Sequence, residues 1–183
     1  GGKIAFSNKD GELWVLTVAG KSLRRVARDP RGYLQDFEWS PGGGYLVFSL
    51  SNRTDNATVN IWSEKEGKIH QVTSELFDSS HPTWDPEGNY LYFLSVREYA
   101  PLISDLEWNF AGSRNRGIFA MALRKDVPHP FPPRSDEVKI EAQSRKAEKK
   151  EAKPEFHVDF DGLESRVARV PLPAANYTGL GAI

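Results

Sequence analysis

Four histidines, His70, His81, His129 and His157, are the side chains of this 183-residue sequence best suited to move a proton near neutral pH. Nucleophilic catalysis would need one of them beside an attacking group and oriented by a third residue. Cysteine is absent, which excludes thiolate nucleophiles, thiolate metal sites and disulfides. No serine stands in a Gly-x-Ser-x-Gly elbow. His70 and His157 fall in strand-like stretches and His81 precedes Pro82, so each histidine is expected to be a structural one. Asp159-Phe160-Asp161-Gly162 opens like a calcium loop, but the twelfth position is Val170, which cannot bind metal. A tight turn with Gly162 at positive φ is the expectation. Gly42-Gly43-Gly44 lead into a strand, whereas a phosphate cradle needs a helix after the glycines. No catalytic residue, cofactor site or metal site is therefore expected.

The elements that position these residues come from a repeat. Trp39 to Leu50, WSPGGGYLVFSL, aligns without a gap on Trp84 to Ser95, WDPEGNYLYFLS. The tryptophans stand 45 residues apart, a period typical of repeat arrays built from small sheets. Pro41 and Pro86 end a ladder, the glycine-containing turn reverses the chain, and alternating apolar residues then form the next strand. The fold class is all-β, a β-propeller segment of four-stranded antiparallel blades, about three in number. With the strands of a blade called A to D, residues 3–27 supply B, C and D. Residues 34–73 supply a whole blade. Residues 80–160 supply another, with inserts at 97–115 and 124–154 and strand D expected at Phe156 to Phe160. Glu164 to Leu172 alternates again and is expected to be strand A of the next blade.

Asp36 and Glu38 share one face of a strand A, with Phe37 and Trp39 on the other. Strand A is innermost in a propeller, so both carboxylates are expected to line its channel. Trp39 and Trp84 should occupy equivalent positions against neighbouring blades. The insert Tyr99 to Phe110 carries apolar residues suited to a contact surface or to capping its own blade. Glu137 to Lys153 has little to bury and is expected to be mobile.

Composition narrows the partners. A formal charge of −1 argues against a grip on nucleic acid or anionic membranes, and no apolar run approaches a bilayer span. The missing cysteines favour a cytoplasmic location, with a periplasmic or secreted one as the alternative.

Thr83 to Arg97, TWDPEGNYLYFLSVR, Leu123 to Glu137, LRKDVPHPFPPRSDE, and Val158 to Tyr177, VDFDGLESRVARVPLPAANY, resemble the seven-bladed propeller region of the tricorn protease family and its bacterial relatives. The resemblance implies a multidomain serine peptidase as parent, in which a non-catalytic propeller guides or filters peptides toward a separate catalytic part. It carries no catalytic residue onto this sequence. A protein-interaction scaffold without protease activity is the alternative. The expected partners are peptides or the rest of the parent. A homo-oligomer is also expected, by strand exchange between Glu164 to Leu172 of one copy and the open strand Lys3 to Ser7 of another.

Overall fold

Alternating runs bounded by glycine-containing turns pair with their neighbours in sequence. In the computed structural model, residues 2–34, 36–98, 114–132 and 156–182 are described, with 102–103 and 110–111 by backbone alone. The first sheet has three antiparallel strands in the order β1 (Lys3–Ser7), β2 (Glu12–Thr17), β3 (Ser22–Arg28). The second has four, β4 (Phe37–Trp39), β5 (Tyr45–Ser51), β6 (Ala57–Ser63) and β7 (Lys68–Gln71), again in chain order. The third begins with β8 (Ser79–Trp84) and β9 (Tyr90–Ser95). A hairpin of β10 (Leu102–Ile103) and β11 (Phe110–Ala111) follows, then β12 (Gly117–Ala122) and β13 (Val167–Arg169) complete the third sheet in the order β13-β12-β9-β8.

The repeated turn shows why its residue types recur. The Ser40 hydroxyl donates to the Gly43 carbonyl at 2.9 Å, while Gly43 N–H donates to Ser40 O at 2.8 Å. In the second copy Asp85 replaces the serine, and its carboxylate accepts from Asn89 N–H at 3.0 Å. A short polar side chain after the tryptophan is what closes the turn.

Because side chains alternate across a strand, the middle sheet packs on both faces. Leu46, Phe48 and Trp62 meet Leu13, Val15 and Ala27 of the first sheet. Val47, Val59 and Ile61 meet Trp84, Leu91, Phe93, Phe119 and Met121 of the third. The far side of the first sheet leaves Ile4, Phe6 and Leu23 exposed.

Two placements differ from the sequence reading. Phe156 to Phe160 forms no strand, and Glu164 to Leu172 does not open a further blade. Its central part, β13, is the outermost strand of the third sheet, with Phe119↔Arg169 and Met121↔Val167 in register. Phe156, Val158 and Phe160 alternate as a strand does, but they spend that alternation as a wedge between the second and third sheets. Phe156 meets Tyr45 and Trp84 edge-on with centroids 5.5 Å away, and Phe160 stacks on His70 at 3.7 Å. A 3₁₀ turn, Leu163–Ser165, with Leu163 buried, then redirects the chain into β13. The Val167–Arg169 part of the Glu164 to Leu172 stretch is thus paired with β12 of its own chain and is not the free strand that the exchange reading assumed. The stretches expected to be mobile (Glu137 to Lys153) and to form a contact surface (the side chains of Tyr99 to Phe110) lie outside the described residues.

Candidate functional site

The three sheets share one rim, which carries the β3–β4, β5–β6, β7–β8 and β9–β12 connections. A cleft of about 450 Å³ opens there between blades. Three aspartates from two connections, β3–β4 and β7–β8, reach its wall, and each accepts at least one backbone N–H.

Asp29, at the end of the first sheet, is 2% exposed. Its carboxylate accepts from Arg31 N–H at 2.8 Å, Tyr33 N–H at 3.4 Å and Ser51 N–H at 2.6 Å. Burial works to raise its pKa, but the hydrogen bonds from Ser51, Arg31 and Tyr33 outweigh it and hold the carboxyl below its usual range. Asp36 lies just before β4. One oxygen accepts from the Ser49 hydroxyl and from His81 N–H, both at 2.7 Å. Asp78, just before β8, accepts from Ala57 N–H at 2.8 Å, and its other oxygen stands 4.0 Å from the Arg116 guanidinium. Tyr33, 73% exposed, forms the outer lip.

Asp36 and Glu38 do share a strand face, and the structure assigns them a task that strand geometry alone did not show. Both span the seam to β8. The Glu38 carboxylate accepts from Trp84 N–H at 3.2 Å, and its backbone carbonyl accepts from the Trp84 indole N–H at 3.1 Å. Asp36 is half-buried on the cleft wall and Glu38 is exposed.

His81 joins the cleft with an unusual backbone, φ 53, at the bulge that separates the Ser80 and Thr83 pairings. Its ring Nδ1 lies 3.0 Å from the Ser80 hydroxyl. A hydrolytic triad would place a carboxylate on the far ring nitrogen. Here Asp36 takes the backbone N–H of His81 instead, fixing the chain, and among the described residues no carboxylate orients the ring. The other histidines serve packing and turns. His70 bonds Glu66 at 2.8 Å as it stacks on Phe160, the His129 ring accepts from Phe131 N–H, and His157 lies 3.8 Å from Asp159. Asp159 and Asp161 are engaged by the Lys125 backbone and side chain, and Gly162 takes φ 68 at the expected turn. Among the described residues, no three His, Asp or Glu side chains converge as metal ligands would.

Sequence reasoning found Asp36 and missed Asp29, Asp78 and Arg116. A weak signal was present: an aspartate stands in the connection before each strand A, at Asp29-Pro30 and at Asp78. Arg116 lies beyond an insert whose path no local pattern discloses.

Comparison with known proteins agrees with this architecture. The family described as the tricorn protease second beta propeller domain matches residues 1–183. A tricorn protease homolog of Saccharolobus solfataricus is 23% identical over 97% of this chain, and tricorn protease homolog 1 of Streptomyces coelicolor is 23% identical over all of it. The chain spans only 15% and 17% of the length of these two relatives. A crystal structure of the tricorn protease superposes with a TM-score of 0.75 at 18% identity, covering 98% of this chain and 17% of that one. Three antiparallel sheets in tandem are thus part of a propeller, and the chain belongs to the tricorn protease second β-propeller domain family.

Proposed function

We propose that this chain is the non-catalytic propeller portion of a larger tricorn-like serine peptidase, guiding peptide substrates toward a catalytic domain elsewhere in the parent. The observation that carries this reading is the rim cleft. Three aspartates against Arg116 and His81 give it a net negative wall, and Tyr33 adds an exposed aromatic lip. Such a surface suits an extended peptide with a Lys or Arg side chain, whose ammonium or guanidinium gains from the carboxylates while its backbone meets Ser80 and Tyr33. Asp36 is then both a seam bond and a channel-side charge, with Glu38 on the same strand face. A cytoplasmic parent belongs to this reading, resting on the cysteine-free sequence; among the described residues no helix is long and apolar enough to cross a membrane.

The test is peptide binding by the parent with its catalytic domain chemically inactivated. A fluorescent ten-residue peptide with central Lys and Arg should bind more weakly as salt rises, and the Tyr33→Ala/Asp78→Asn variant should lose at least about tenfold in affinity, the worth of one charge-assisted contact. Equal binding of a Glu-substituted peptide would refute the proposal. A second reading, a scaffold for protein partners, draws on Leu76, 78% exposed in the β7–β8 connection, and Leu172 beyond β13. Retention of a folded partner by the Leu76→Ser-sensitive rim, with no peptide binding, would favour it.

A further inference from the structure

Among the described residues the first sheet has three strands where the second and third have four, and one buried polar atom beside it lacks a partner. The Trp39 indole N–H is buried with no hydrogen-bond partner among the described residues. Its repeat mate, Trp84, donates the same atom to the Glu38 carbonyl. A cavity of about 520 Å³ lies beside Trp39, lined also by Gly2, Lys3 and the Gly42–Gly44 turn. The edge of β1 away from β2 is unpaired among the described residues.

The two blade seams superpose by sequence, which makes the missing group readable. KIAFS of β1 aligns with YLVFS of β5, so Ser7 stands where Ser49 stands. At the complete seam Asp36 accepts from Ser49 and from His81 N–H, and Glu38 accepts twice from Trp84. At the open seam, Ser7 and Trp39 occupy two of those donor positions; His81 lies at a β-bulge that the regular β4–β5 register lacks, so its N–H is not matched by that of Asp36.

We propose that β1 and Trp39 form an acceptor site for one extended strand of acid-x-acid sequence, contributed by a segment of the parent polypeptide outside residues 1–183. The relatives are several times longer than this chain, so the parent has sequence to supply it. The first acid accepts from the Ser7 hydroxyl, as Asp36 does from Ser49. The second accepts from Trp39 N–H through its carboxylate and from the Trp39 indole through its carbonyl. The strand hydrogen-bonds along β1 as β4 does along β5. Its first acid precedes Lys3 by the spacing that separates Asp36 from Tyr45. This inference does not rest on the peptide-guiding reading.

The experiment uses the full-length parent. Trp39→Phe and Trp84→Phe each remove one indole N–H from a ring of similar size, and hydrogen exchange of the β1 amides is followed by mass spectrometry. Both substitutions are expected to lower the melting temperature by similar amounts. Neutralising the two upstream acids to Asn and Gln should speed β1 exchange at least about tenfold, leaving β5 unchanged. A neutral Trp39→Phe beside a destabilising Trp84→Phe would overturn the proposal, as would β1 amides that exchange as fast as an open edge in the unmodified parent. Lack of acid-x-acid at the stated spacing would overturn it without any measurement.

Discussion

At the scale of single residues, this fold is held by carboxylates that accept backbone N–H groups across blade seams. Asp29 is the most buried of them. Replacing it with Ala strands the N–H groups of Arg31, Tyr33 and Ser51, and should cost at least about 2 kcal/mol by chemical denaturation. Its lowered pKa gives the loss a pH signature. A depressed folded value means the stabilisation is present above the unfolded value of about 3.9 and is lost as pH falls through the folded one. The stability gap between wild type and Asp29→Asn should therefore be full at pH 7 and close below about pH 4. A gap that did not narrow at all as pH falls below about 4 would remove ionisation from the explanation. Trp84 is 2% exposed, and Trp84→Ala should cost about 3–5 kcal/mol. Trp39→Ala should cost less wherever its seam is open, because that indole is only half-buried.

At the scale of elements, the B and C strands were legible and one D strand was not. YLVFS and YLYFLS follow a glycine turn and alternate without interruption, so local pattern and ladder agree. Phe156, Val158 and Phe160 carry an equally clear period of two, but period reports which residues are buried and not what the backbone bonds to. Their partners are two sheet faces, which no local pattern names. The true fourth strand, Val167-Ala168-Arg169, is short and weakly patterned. The cleft was still less legible: Asp36 stood out on a strand face, whereas Asp29, Asp78 and Arg116 meet it only through tertiary packing. The wedge makes its own prediction. Gly88 has φ 74, and a Cβ there would lie 2.6 Å from the Phe156 ring. Gly88→Ala should cost about 2 kcal/mol from backbone and overlap together. Phe156→Ala should cost a similar amount, about 2 kcal/mol for a half-buried ring. If both were neutral in a thermal melt, the wedge would have to be abandoned as a packing element.

At the scale of the whole molecule, three sheets cannot close a propeller ring, which needs about four to eight blades. The exposed Ile4, Phe6 and Leu23 lie on the face of the first sheet away from the second, the side where another blade would stand. On the peptide-guiding reading proposed above, the rim cleft is one sector of a larger opening in the parent. Peptide guiding requires that this sector engage a long substrate before any bond is cleaved. The most direct test is steady-state hydrolysis by the parent and its Tyr33→Ala/Asp78→Asn variant, with a short chromogenic substrate and a peptide of ten or more residues carrying Lys and Arg. Peptide guiding should leave kcat/KM unchanged for the short substrate and lower it about tenfold for the long one. An equal fall for both substrates, or no change for either, would contradict it.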